Sequence, residues 1–219
     1  MSVNTSPFAS GYRQADVAVS KRETVYKGFF RIECLTLRHR LFNGGWSREF
    51  TRELFVRGDA VGVLLYDPRR DLIGLVEQFR VGALDQPSPW CLEVVAGMVE
   101  PGETPEAVAR RELQEEAGIG ETSLEFICHY LPSPGGSDEG MSLFCACCDL
   151  EGRGGVYGVP EENEDIRFHV LPAEEVFSRF PGEDFNNAAV LICLMWLQLH
   201  RQRLQLESQS LSGSQLWDL

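Results

Sequence analysis

Glu112, Glu115 and Glu116 stand at i, i+3 and i+4, offsets that stack side chains on one face of a helix. Three carboxylates so crowded repel one another and raise one another's pKa values. Solvent, neighbouring cations such as Arg110 and Arg111, or a bound metal ion must therefore stabilise that face. For an arbitrary helix a solvated acidic stripe is the ordinary reading. Three features shift the balance toward a site: Glu103 lies just ahead, the glycines at 97 and 102 let backbone approach closely, and an apolar run at 90–96 delivers the chain to that loop. Hard oxygen ligands in this number suit Mg²⁺ or Mn²⁺, which take a few carboxylates and keep waters and substrate phosphates in their shell.

The elements that position these groups can be read locally. Thr104 as N-cap, Pro105 at the first helical position, Glu106 at the positive end of the dipole and Gly118 as a left-handed stop predict a helix over 105–117. Residues 23–55 read as strands with a hairpin turn at Asn43-Gly44-Gly45. Both faces of that region mix charge with apolar groups, so it is expected to pack on a second chain or to line a site. Apolar runs at 60–66 and 72–79, joined by Asp67-Pro68-Arg69-Arg70-Asp71, start a central sheet, and 90–96 adds a strand. Further strands are expected at 123–131, 142–150 and 166–171, a short helix from Pro172, and an amphipathic helix over 187–201. The Ser/Gln-rich tail after about 205 is expected to fray. This order predicts an α/β (α+β) protein. It has an N-terminal β region at 1–57, a catalytic domain at 58–205 and a flexible tail at 206–219.

Composition narrows the partners. The 219 residues carry 33 acidic and 20 basic side chains, a net charge of −13, so no broad cationic field is available for nucleic acid or an anionic membrane. An anionic substrate would need local arginines and a divalent cation. The seven cysteines include no CxxC pair and mostly sit in apolar runs, as reduced buried thiols do. A zinc site at Cys145-x-Cys147-Cys148 lacks a second ligand pair. With no signal peptide and no apolar run long enough to span a bilayer, a cytoplasmic protein is expected. His129 and His169 have apolar neighbours and read as satisfied strand histidines.

The run Gly97-x5-Glu103-x7-Arg111-Glu112-Leu113-x-Glu115-Glu116-x-Gly118-Ile119 resembles, at every fixed position, the signature box of the Nudix hydrolases, which cleave nucleoside diphosphates linked to another moiety. At average residue usage it would arise by chance in roughly one chain in 10⁷ of this size, so it fixes family and metal chemistry more firmly than substrate. YKGFF, HRLFNGG, Glu77-Gln78-Phe79-Arg80, Ser133-Pro134-Gly135-Gly136 with Glu139, and Glu162-Asn163-Glu164-Asp165-Ile166 extend the resemblance, from about 22 to about 201, to ADP-ribose pyrophosphatases.

That resemblance implies an α/β/α sandwich with a mixed central sheet, and a homodimer that exchanges its N-terminal strands. It also implies hydrolysis of ADP-ribose to AMP and ribose 5-phosphate with two or three Mg²⁺ ions, or Mn²⁺ in their place. By the same carry-over Glu112, Glu116, Glu164 and the Ala96 carbonyl are metal ligands, and Glu115 is a ligand or stands just behind one. Arg111 is the orienting cation and Glu162 the general base, although loop acids such as these are otherwise simply solvated. Arg52 and Arg80 contact the ADP portion, Glu53, Met98 and Ser133 belong to the substrate surface, and Glu139 contacts the terminal ribose. Phe29 is placed to stack on adenine, whereas as a strand aromatic it reads as core. Two other readings stay open: a pyrophosphatase for another nucleotide sugar or an oxidised nucleotide, and a nucleotide-binding module without catalysis.

Overall fold

The computed structural model describes residues 11–159, 161 and 163–210, and the chain divides into two compact units. The smaller combines the described residues up to Arg57 with Ser133–Glu139. Its strands β1 (Val17–Lys27), β2 (Arg31–His39) and β3 (Phe50–Val56) form an antiparallel sheet in that order. The turn after β2 places Gly44 and Gly45 at φ +88° and +77°, the left-handed region where a side chain would be strained. The first strand begins at Val17, earlier than composition suggested, because pairing from Val17↔His39 to Lys27↔Arg31 satisfies its backbone. Its side chains are exposed along nearly the whole length. Within this unit the 133–139 loop docks on β3: Phe55 N–H donates to Gly136 O at 2.8 Å, and Asp138 N–H donates to Phe55 O at 3.2 Å.

The larger unit comprises Gly58–Pro132 and the described residues from Gly140 onward. Its strands are β4 (Ala60–Asp67), β5 (Leu72–Phe79), β6 (Trp90–Glu93), β7 (Val95–Met98), β8 (Leu124–Tyr130), β9 (Met141–Cys147), β10 (Gly155–Tyr157) and β11 (Ile166–Pro172), and its helices α1 (Pro105–Ala117), α2 (Ala173–Arg179) and α3 (Ala188–Ser210). The sheet order is β10-β11-β5-β4-β9-β8, with β4 and β9 parallel and the neighbouring pairs antiparallel. Each strand face meets a helical layer. Val61, Val63, Leu65, Val76 and Val95 pack with Val108 and Leu113 of α1, while Leu64, Tyr66, Ile73 and Leu75 pack with Val176 of α2 and Val190, Leu194 and Leu197 of α3. Burial on both faces is why β4 reads as an unbroken apolar run. Each leucine removed from water here stabilises the fold by about 1.5–3 kcal/mol.

Two elements differ from the local reading. The single strand expected over 90–96 is two, because β4 and β5 pair only through 65–67 and 72–74 and then part. β6 fills the gap against β5 and β7 against β4. Helix α3 continues past Arg201 to Ser210. Leu204 and Ser208 are buried, Gln205 Nε2 donates to Asp71 at 3.1 Å, and Arg203 pairs with Glu125 at 2.6 Å and Glu207 at 3.1 Å. Tertiary contacts thus overcome the weak propensity of a Ser/Gln-rich segment.

Candidate functional site

Helix α1 is fixed at both ends by its own sequence. Thr104 Oγ1 accepts from Ala107 N–H at 3.3 Å, Pro105 occupies the first turn, and Gly118 adopts φ +61° as the left-handed cap. Val108, Ala109, Leu113 and Ala117 bury one stripe of the helix against the sheet. That sets Glu112 and Glu116, with residual exposures of 8% and 2%, against the backbone of β7. Ala96 N–H donates to Glu116 Oε2 at 3.1 Å. Gly97 has no substitute here, since a Cβ at that position would fall 1.8 Å from Glu112 Oε1.

Arg111 binds the remaining acids of this face. Its guanidinium lies 2.7 Å from Glu112 Oε1, 3.1 Å from Glu115 Oε2 and 3.7 Å from Glu103 Oε1, and donates to Met98 O at 3.5 Å. Burial raises the Glu112 carboxyl to about 7, opposed by Arg111 and reinforced by Glu115 and Glu164. Burial likewise raises Glu116 to about 8; the Ala96 N–H and Arg80 oppose the shift, while Glu112 and Glu164 add to it. Glu164, which accepts from Val159 N–H at 3.3 Å, therefore belongs to the same electrostatic cluster. Arg80 does too, held at 2.6 Å by Glu93.

Among the described residues no three acidic, imidazole or thiol groups already form a cation cage. The donor set nevertheless fits a hard divalent ion. Two carboxylates taken out of water, with a third nearby and one shared guanidinium, hold more negative charge than that guanidinium offsets.

A pH dependence follows. In the metal-free protein both carboxyls have folded-state pKa values above their unfolded ones, so their stabilising contribution is full below about 4.5 and disappears as pH rises through 7–8. Metal-free melting temperature is expected to fall between pH 5 and 8, and the stabilisation by added Mg²⁺ or Mn²⁺ to grow over that window with proton release. Calorimetric melting with and without metal checks this. A metal increment that is flat with pH would remove both carboxylates from the ligand set.

The other candidate residues distribute as follows. Phe29, Arg52, Glu53, Ser133 and Glu139 belong to the smaller unit. Phe29 is 89% exposed at the β1–β2 turn, which corrects its reading as core; its ring touches only the edge of Phe30, centroids 4.8 Å apart, among the aromatic contacts of the described residues. Arg52 donates to Thr51 O at 2.8 Å and lies 4.6 Å over the Phe50 ring, Glu53 is exposed opposite Cys34, and the Ser133 carbonyl closes the loop by accepting from Gly136 and Ser137. Glu139 is buried and paired with Arg57 at 3.3 Å. Met98 is an exposed residue of β7. Glu162 lies outside the described residues.

Arg57 and Glu93, the partners that hold Glu139 and Arg80, escaped the sequence reading. Each is an ordinary strand-end charge until pairing across strands gives it a role. His129 and His169 are hydrogen-bonded strand side chains, to Ser142 Oγ at 3.1 Å and Glu77 Oε2 at 2.9 Å. All seven cysteines are free thiols, of which Cys91, Cys145, Cys148 and Cys193 are buried; burial pushes the Cys148 thiol up to about 12.

Comparison with known proteins agrees with this geometry. The NUDIX domain model matches residues 56–191. An ADP-ribose pyrophosphatase of Escherichia coli (strain K12) is 46% identical over 193 residues, covering 88% of this chain and 92% of that protein. One from Haemophilus influenzae is 42% identical over 198 residues, 89% and 91% of the two chains. A crystal structure of an ADP compounds hydrolase superposes with a TM-score of 0.62 at 25% identity, covering 84% of this chain and 96% of that one. With the signature acids assembled on α1 and the family model spanning more than half its length, the chain belongs to the Nudix family of hydrolases.

Proposed function

We propose that this protein hydrolyses ADP-ribose to AMP and ribose 5-phosphate with Mg²⁺, or Mn²⁺ in its place, two or three ions serving each site. The observation that carries the reading is the buried Glu112 and Glu116 pair against β7, Glu112 held by Arg111 and Glu116 by the Ala96 N–H, in a chain so similar to ADP-ribose pyrophosphatases. When bound, a divalent ion neutralises charge on the diphosphate and lowers the pKa of an attacking water, each worth several kcal/mol of barrier.

The chain's own residues do the rest. Glu112, Glu116, Glu164 and the Ala96 carbonyl hold the ions, and Glu115 is a ligand or stands just behind one. Arg111 fixes the angle of Glu112 and Glu115. Glu162 takes the proton of the attacking water as its oxygen bonds to phosphorus and the bridging P–O bond breaks toward the leaving phosphate. Arg80 and Arg52 bind the ADP portion by charge-assisted hydrogen bonds, Phe29 offers an exposed ring to adenine, Glu139 meets the terminal ribose, and Glu53, Met98 and Ser133 complete the substrate surface.

Incubation with a panel of nucleoside diphosphate sugars and Mg²⁺, followed by product analysis, tests the reading. AMP from ADP-ribose supports it. Turnover of another nucleotide sugar without AMP from ADP-ribose overturns the substrate, and tight binding without any turnover would mark a nucleotide-binding module. Arg80→Ala is expected to raise KM about tenfold, the scale of one charge-assisted contact, with kcat retained. A pure kcat effect in steady-state kinetics would argue against a binding role.

We further infer a homodimer that exchanges N-terminal strands, supported by the exposed apolar side chains Val17, Val19, Val25 and Tyr26 on β1. A cytoplasmic location is supported by the free thiols, and no described helix is long and apolar enough to cross a membrane.

A further inference from the structure

Gln78 breaks a rule that nearly every buried side chain obeys. It is 5% exposed, and among the described residues its Nε2 is a buried side-chain nitrogen with no hydrogen-bond partner. A buried amide donor left unpaired costs as much as a lost hydrogen bond, so such a group in a native fold calls for an explanation. The register shows which group lies within its reach. Gln78 lies opposite Cys91, and Glu93 lies opposite Val76. Gln78 and Glu93 are therefore diagonal neighbours on one face of the β5–β6 pair, within reach of side chains of this length. Glu93 is held by Arg80, whose Nε donates to its Oε2 at 2.6 Å, and the carboxylate side chain is only 15% exposed.

We propose that Gln78 is a positioning residue that takes over Glu93 when Arg80 leaves it for the substrate. The inference rests on the proposed role of Arg80 in binding the ADP portion. In the free protein Arg80 pairs with Glu93 Oε2 and holds the carboxylate toward itself, and the Gln78 amide makes no bond to either carboxylate oxygen. When the guanidinium turns to the anionic ligand, a largely buried carboxylate would be stranded at a cost that weakens binding. The Gln78 amide supplies the replacement donor, so the cost of its unpaired state in the free protein offsets the cost of releasing Arg80. The device lowers the barrier to partner exchange without adding a cation to the site.

The test is a double-mutant cycle on the full chain with Gln78→Leu and Glu93→Gln, reading three quantities: melting temperature without ligand, KM and kcat for ADP-ribose, and the Kd of ADP with Mg²⁺ by calorimetry. Gln78→Leu removes a donor that is unpaired in the free protein, so melting temperature is expected to hold or rise. KM for ADP-ribose and Kd for ADP are expected to rise on the order of tenfold, the scale of a hydrogen bond to a charged group. In the Glu93→Gln background, where no charge is stranded, the same substitution should change either constant less than about twofold. An unchanged KM and Kd in the single variant overturns the proposal. So does an effect of equal size in both backgrounds, or a large fall in melting temperature, which would show a plain structural role. Should the wild-type chain bind ADP but fail to hydrolyse ADP-ribose, the functional reading falls while the ADP arm of the cycle still decides the role of Gln78.

Discussion

Glu116→Gln is expected to lower kcat/KM at ordinary Mg²⁺ concentrations by at least about a thousandfold, the rate equivalent of the several kcal/mol a ligated ion supplies, while the fold stays intact. The substitution preserves volume and leaves an amide oxygen that can accept from Ala96 N–H, as the carboxylate does at 3.1 Å. What it removes is charge that burial already disfavours, since the carboxyl is held up at about 8. Metal-free melting at pH 8 should therefore match or exceed the wild type, so the gain in apo stability and the loss of activity move in opposite directions. Glu112→Gln should lose activity to a similar degree, with an added cost because Arg111 loses a charged partner at 2.7 Å. Kinetics over a metal titration, with melting on the same samples, separates ligand loss from misfolding. Wild-type-like kinetics in either variant would defeat the ligand assignment.

The parts of the site that are legible in the sequence are those whose causes are local. A capping threonine, a proline in the first turn and a terminal glycine define α1 without reference to anything distant, and a 3.6-residue period then fixes which glutamates share a face. Gly97 could be singled out from the family pattern, but its reason is tertiary: only the structure puts Glu112 across its Cα. The same limit explains the division of β6 from β7, which depends on β4 and β5 parting, and the last turns of α3, which depend on Asp71 and Glu125. Phe29 is ambiguous in the sequence because a strand aromatic is usually core, and only its place in a turn exposes it. The charge partners Glu93 and Arg57 carry no signature at all, since a strand-end acid or arginine means nothing until a neighbouring strand or loop supplies its counterpart.

Glu162→Gln is expected to lower kcat by about 10²- to 10⁴-fold, the range associated with loss of a general base, and to leave metal and substrate binding within a few-fold of the wild type. The reasoning is by charge and availability. Glu112 and Glu116 are the proposed ligands of the ions, and a carboxylate bound to a cation is a poor proton acceptor. Glu115 is held by Arg111 at 3.1 Å, an ion pair it would have to give up to reach a water. Glu164 enters the electrostatic cluster of the two buried acids and is better used as a ligand. That leaves Glu162, an acid of the same loop that lies outside the described residues and whose role as base is what the family resemblance implies. Gln at 162 can still position a water but cannot take its proton, so the defect should sit in kcat and respond little to added metal. A rate unchanged by Glu162→Gln would transfer the base to Glu115, and Glu115→Gln would then have to show the larger loss; a defect relieved by raising Mg²⁺ would instead make Glu162 a ligand.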